Sequence, residues 1–161
     1  MESRLIIRSA KSGDEGDILA LLHALAEYEK LTHIFAMTES SIAKDFLAPS
    51  SACCCSLALE GSEPVGLATW YWTYSSFRSM RGIYLEDLYV RATRRGRGYG
   101  KALLAHLART SLAEGGRYVR WAVLDWNKPS IEFYESLGAQ AASGWTTYQL
   151  SGDKLSELAE T

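Results

Sequence analysis

The chain has 161 residues, 47% of them hydrophobic and 22% charged, a balance that fits one globular domain able to bury a core. Its formal net charge of −2 gives no global basic field, so composition offers nothing for a nucleic-acid partner and any positive patch must be local. No stretch approaches the roughly 18 apolar residues of a membrane span, and the opening "MESRLIIRSAKSGDEGD" lacks an apolar run behind a basic head, so the reading is cytoplasmic with no membrane partner.

"RLIIRSA" predicts a short first strand, and "SGDEGDILALLHALAEYEKL" a helix capped within Ser12 to Asp14 and running to Glu29. Ile18, Leu21, Leu22, Leu25 and Tyr28 fall on one helical face. A second amphipathic piece, "TESSIAKDFLA", opens with the capping pattern Thr38 to Ser41 and stops before Pro49. The period then changes to that of strands in "ACCCSLALE", "PVGLATWYWTYS" and "GIYLEDLYVRA", with "GSEP" as turn chemistry between the first two, which predicts an antiparallel meander. All three cysteines lie in the first of these runs. Strand alternation places Cys53 and Cys55 on one face and Cys54 on the other, and no second Cys/His pair stands at metal-ligand spacing, so they read as small apolar strand residues and no metal is expected.

After "RRGRGYGK", Leu103, Leu104, Leu107, Ala108 and Leu112 form a helical stripe ending at Gly115 and Gly116. "RYVRWAVLD" predicts a strand, "NKPSIEFYESLG" a helix with Pro129 in its first turn and Gly138 as its stop, and "GWTTYQLS" a last strand. With no linker or repeat, the order βααβββαβαβ reads as a single α+β domain over residues 1–161.

The run "RRGRGYGKALL" sets Gly96, Gly98 and Gly100 at alternate positions between a strand and a helix. Glycines let backbone N–H groups approach a ligand, and a following helix aims the positive end of its dipole at it, so the segment suits an anion. Two familiar phosphate loops are excluded by spacing. The dinucleotide fingerprint counted from Gly96 would need glycine where Lys101 stands, and counted from Gly98 where Leu103 stands; a Walker loop would need glycine at Arg95 and Ser or Thr at Ala102.

The same run resembles the acyl-CoA pyrophosphate loop of the GNAT N-acetyltransferase family, whose pattern Q/R-x-x-G-x-G/A is matched by Arg95, Gly98 and Gly100. Its placement after "YLEDLYV" and before "VLDWNKPSIEFYESLGA" resembles the core of the spermidine/spermine (diamine) acetyltransferases, and the likeness extends to "LAEYEKL" and "WYWTYSSF", most of the chain. The resemblance implies a single-domain acyl-CoA N-acyltransferase fold: a mixed, mostly antiparallel sheet with helices on both faces. It implies acetyl-CoA as co-substrate, a primary amine as acceptor, with a small diamine or polyamine leading, and a homodimer with the C-terminal strand and "SGDKLSELAE" as the exchange surface. An amine such as a lysine analogue or an aminated antibiotic is the rival acceptor, and a non-catalytic acyl-CoA-binding sensor is the rival from another class.

Residue by residue, the resemblance implies that Leu88, Tyr89 and Val90 offer backbone groups to the pantetheine arm. It implies that Arg95, Gly96, Arg97, Gly98, Tyr99, Gly100 and Lys101 hold the pyrophosphate, the cations adding charge to the backbone donors. Asn127 and Ser130 match further CoA contacts. Acetyl transfer must strip a proton from an ammonium of pKa near ~10, stabilise charge on the carbonyl oxygen and protonate the departing thiolate. Tyr134 matches the general acid toward sulfur. Glu86 matches the amine-binding residue that accepts the proton, directly or through water, and a main-chain N–H near Leu88 would meet the oxyanion. Tyr28, Glu29 and Asp87 match acceptor contacts, and Arg120, Trp121 and Ala122 a strand lining the amine channel. Adjacent strand positions face opposite sides, so Glu86 and Asp87 are expected to diverge. The animal diamine enzymes carry an acidic pair just before the counterparts of Gly144 and Trp145; here "AQAASGW" stands instead, so one negative contact for a distal ammonium is missing.

Overall fold

A computed structural model describes residues 4–142 and 144–161. The leader reading at the first three positions, and Ser143 within "AQAASGW", lie outside these residues. Two compact units divide the chain, Met1–Ala122 and Val123–Thr161.

The first unit is built on one sheet in the order β1-β2-β3-β4-β5. Its strands are β1 (Leu5–Ser9), β2 (Cys54–Glu60), β3 (Glu63–Ser75), β4 (Met80–Val90) and β5 (Val119–Arg120). The first four pair antiparallel, and β5 joins β4 parallel through Ile83↔Val119 and Tyr84↔Arg120, so the sheet is mixed and mostly antiparallel, as expected. Aromatic and β-branched side chains make β3 and β4 a long hairpin, along which the cross-strand pair Tyr71 and Tyr84 stacks with ring centroids 5.2 Å apart. Of the expected strand "RYVRWAVLD" only two residues pair, opposite Ile83 and Tyr84 and short of the point after Leu85 where the β3–β4 register shifts.

Helix α1 (Glu15–Glu29) buries Ile18, Leu21, Leu22 and Leu25 against Cys55, Leu57, Leu67 and Tyr89. Full burial of each large aliphatic side chain contributes about 1.5–3 kcal/mol of transfer free energy. Asp14 stands at the N-cap, but its side chain does not cap: Arg8 donates to both carboxylate oxygens at 2.6 and 2.9 Å and the Lys11 N–H donates at 2.8 Å. The charge-assisted pair outcompetes the local cap and ties the end of β1 to the start of α1. At the other end Lys30 adopts the left-handed conformation, φ 60, and the Leu31 N–H bonds back to the Ala26 carbonyl, so the helix stops with Tyr28 and Glu29 in its last turn. Helix α2 (Glu39–Ile42) has the expected capping box between Thr38 and Ser41 and continues into a π-helical turn, Ala43–Leu47. Helix α3 (Tyr99–Ala113) buries Leu103, Leu104 and Leu107. The cysteines are free thiols; Cys53 precedes β2, and burial pushes the Cys55 thiol up to about 12, which leaves it inert.

The second unit holds α4 (Lys128–Ser136) and α5 (Asp153–Ala159). Pro129 lies in the first turn of α4, and Gly138 follows its end with φ +87. The expected strand "GWTTYQLS" does not form. Its aromatic and β-branched composition carries propensity, but a strand exists only where a ladder satisfies its backbone, and among the described residues none pairs with 144–151. "SGDKLSELAE" supplies α5 instead.

Candidate active site

Across the β3–β4 hairpin Thr69 lies opposite Asp87 while Trp70 lies opposite Leu85, so Glu86 is an extra residue and forms a bulge in β4. Thr69 and Trp70 face opposite sides of β3, and their partners Asp87 and Leu85 therefore do too. The expected alternation of Glu86 and Asp87 along a regular strand is thus replaced by the bulge. Glu86 is exposed. Asp87 is half-buried, and the buried Thr69 hydroxyl donates a hydrogen bond to its carboxylate.

Burial raises the Asp87 carboxyl above the ordinary range, opposed by the Thr69 hydrogen bond. Burial and then the charge of Asp87 raise Glu86, and the same two causes raise Glu29 in the last turn of α1. Tyr71 is raised by burial and then by Glu86. Asp87 is therefore the common neighbour of two other carboxyls, a more central place than adjacency in sequence implied. Glu29 and Glu86 each lie within electrostatic reach of Asp87; among the described residues no group of His, Cys, Asp or Glu side chains is arranged to hold a metal ion. Thr69, which positions the central carboxyl, carried no sequence signal, because only the strand register reveals what it faces.

The Arg95 guanidinium lies over the rings of Tyr28 and Tyr89, 4.7 and 5.7 Å from their centroids, and its Nε donates to the Val90 carbonyl at 3.1 Å. The glycine segment follows a 3-10 turn at Ala92–Arg94. Gly96 and Gly98 have φ of +77 and +80, with nothing within 4 Å of a Cβ built on either, so backbone angle rather than space demands glycine there. Gly98 is the N-cap of α3, whose Tyr99 and Gly100 begin the helix and whose first N–H groups suit an anion. Arg97, itself exposed, donates through Nη1 to Glu60 at 3.0 Å; Arg94 and Tyr99 reach the same carboxylate at 2.6 and 2.8 Å. The hydrogen bond from Tyr99, then that from Arg94 and the nearby arginine charges, hold Glu60 below the usual carboxylate range. Sequence reading did not single out Glu60, which gathers these donors around the glycine segment. Lys101 is exposed.

Because β5 ends opposite Tyr84, the β4 edge from Leu85 to Val90 has no strand partner on that side among the described residues, and Leu88, Tyr89 and Val90 lie on it. Arg120 ends β5 with its guanidinium 5.2 Å from the Tyr118 ring centroid; Trp121 and Ala122 follow outside the strand. In the second unit the Asn127 side chain caps α4 by accepting from the Ser130 N–H at 3.4 Å, so these two residues bond to each other. Tyr134 is half-buried on α4, its ring 5.3 Å from that of Phe133.

The glycine segment entering a helix offers backbone donors suited to an anion, the open strand edge offers main-chain groups, and the carboxyls around Asp87 suit a basic group. The chain belongs to the acetyltransferase (GNAT) family, whose model matches residues 18–139. It is 38% identical to the thialysine N-epsilon-acetyltransferase of Bos taurus over 96% of this chain and 97% of that protein. It is 29% identical to an L-ornithine N5-acetyltransferase of Arabidopsis thaliana, over 94% of this chain and 86% of the relative. Among solved structures, an integron cassette protein from the mobile metagenome of V. cholerae superposes with a TM-score of 0.81 at 23% identity over 98% of both chains. The family uses acetyl-CoA as co-substrate, and the residues present fit it: positive-φ glycines open toward solvent, an unpartnered strand edge and the N-terminus of a 15-residue helix. The protein is an N-acetyltransferase.

Proposed function

We propose that the protein acetylates a primary amine of a short diamine or polyamine, in the cytoplasm, as a homodimer and without a metal. The observation that supports this reading is that Glu29 and Glu86, each partly desolvated, lie within the repulsive reach of the more deeply buried Asp87. Such repulsion is relieved by cations, and a dication relieves more of it than a monocation. Acetyl-CoA, when bound, supplies the acetyl group as a thioester. Glu86, exposed at the bulge, accepts the ammonium proton directly or through water, while Asp87 and Glu29 hold the charge that remains. The glycine segment and Lys101 bind the pyrophosphate, Arg95 stands at its edge, and Leu88, Tyr89 and Val90 meet the pantetheine arm, with a main-chain N–H near Leu88 toward the carbonyl oxygen. Tyr134 donates a proton to the departing sulfur, and Asn127 and Ser130 contact the CoA. Tyr28, Arg120, Trp121 and Ala122 complete the acceptor contacts.

A second reading, an amino acid with a terminal amine, is favoured by the names of the relatives at 38% and 29% identity. Charge argues for the diamine, since the carboxylate of an amino acid would enter the same negative field. Thiol release at fixed acetyl-CoA distinguishes the two with a matched set: a diamine, a monoamine of equal length, thialysine and ornithine. The diamine should show the highest kcat/KM. Equal efficiency for mono- and diamines rejects the polyamine acceptor, preference for thialysine installs the second reading, and no release with any amine favours a binding module. Support for the dimer comes from Trp145, Tyr148, Leu155 and Leu158, which are 86%, 91%, 53% and 63% exposed, apolar surface that a second copy would cover. Size-exclusion chromatography with light scattering tests it.

A further inference from the structure

The turn between β2 and β3 gathers side chains from the whole segment that leads into α3. Arg91 donates through Nε to the Pro64 carbonyl at 2.8 Å and through its main chain to Val65 at 2.9 Å. Arg94 bonds Glu60 through Nε at 2.6 Å and Glu63 through Nη2 at 2.9 Å. Arg97 and the Tyr99 hydroxyl both reach the other oxygen of Glu60, at 3.0 and 2.8 Å. One carboxylate, with a side chain only 13% exposed, thus takes donors from both sides of Gly96 and Gly98.

We infer that Glu60 is a positioning residue for the pyrophosphate of acetyl-CoA, fixing the glycine segment so that its backbone N–H groups converge on one anion; this rests on the acetyl-CoA reading. Two glycines in left-handed conformations leave the segment free to sample many others, and a ligand that had to order it would bind more weakly. The chemistry of the brace supports a positional role. A carboxylate near a phosphate site repels the ligand, and this one also occupies two arginines that would otherwise attract it. A residue that weakens attraction on both counts contributes through geometry. Bringing residues 94, 97 and 99 to a common point leaves the intervening glycines little freedom.

The test compares acetyl-CoA with S-acetylpantetheine, which carries the same thioester and lacks the pyrophosphate. Glu60→Ala should raise the Kd and KM for acetyl-CoA by about tenfold, with kcat at saturation, the amine KM and kcat/KM for S-acetylpantetheine close to wild type. Glu60→Gln keeps a single acceptor oxygen, enough for Arg94 or for Arg97 and Tyr99 but not for both, and should give the same pattern at about threefold. Glu60→Gln carries the test if Glu60→Ala does not fold. Unchanged acetyl-CoA affinity in the variants overturns the inference, and so does an equal loss with both donors, which marks a general structural role. Failure of the wild-type protein to bind acetyl-CoA strikes the functional reading itself.

Discussion

Thr69→Val nearly preserves the shape of a side chain that is 1% exposed and deletes the hydroxyl that donates to Asp87. A hydrogen bond to an ionised group contributes about 1.5–3 kcal/mol and one between neutral groups about 0.5–1.5 kcal/mol, so the cost of the substitution should depend on the charge of Asp87. Burial already holds that carboxyl above its ordinary range, and losing the bond raises it further. A carboxyl whose pKa is higher in the folded chain than in the unfolded one keeps its proton longer when folded, so stability falls as pH rises from the unfolded value through the folded one. The difference between wild type and variant should therefore be near the lower figure below the unfolded carboxylate range and grow to the higher figure once Asp87 is ionised in both. Asp14 works in the opposite direction: Arg8 lowers its carboxyl, and its contribution is lost as pH falls through the folded value. It is common to both proteins and cancels. Urea unfolding across the range from about pH 4 to 9 measures the difference, with Asp87→Asn as the control that should abolish its slope. A cost that does not change with pH, or a slope that persists in Asp87→Asn, would refute the assignment of Asp87 as a carboxyl strained by burial.

Gly82→Ala would bring a Cβ to 2.5 Å from the Tyr118 ring, about 0.9 Å inside the 3.4 Å where ordinary contact begins, so denaturation should show a loss of about 1–3 kcal/mol that Tyr118→Ala in the same chain largely relieves. Tyr134→Phe removes one oxygen and little packing; folding and acetyl-CoA binding should persist while kcat falls by roughly 10²-fold under conditions where chemistry limits the rate. Glu29→Gln should erase most of the kcat/KM advantage of a diamine over a monoamine, about one to two decades for a lost charged contact, while leaving the monoamine nearly unaffected. An advantage that survives the substitution would move the distal ammonium away from Glu29.

Local rules read well where the physics is local. The end of α1 after Glu29, the Thr38 to Ser41 capping box and the Asn127 start of α4 each follow from residues within one helical turn, and each is visible in sequence. The bulge is not, because one added residue leaves the composition of "YLEDLYV" that of any strand and changes only the partner each position meets. Glu60 was equally hidden: it lies 34 to 39 positions before the side chains it binds, and its one trace in sequence is the crowd of arginines after Val90 that demanded a counter-charge. "GWTTYQLS" shows the converse, strand composition without a strand, since propensity cannot supply the ladder.

The left-handed Lys30 that ends α1 also sets a direction. Fifteen residues of aligned peptide units finish there, so the helix presents roughly half a negative charge where Tyr28 and Glu29 stand, with the Lys30 cation beside it. Helix α3 begins at the glycine segment with no acidic residue in its first turn and presents the complementary half positive charge. Arg95, stacked on Tyr28 and bonded to Val90, bridges the two. The backbone alone thus sets a negative pole at one helix end and a positive pole at the other, before any side chain acts. Neither pole can be removed by a point substitution on the surface, so residual discrimination between a cationic acceptor and an anionic donor should outlast the loss of any one carboxylate or arginine.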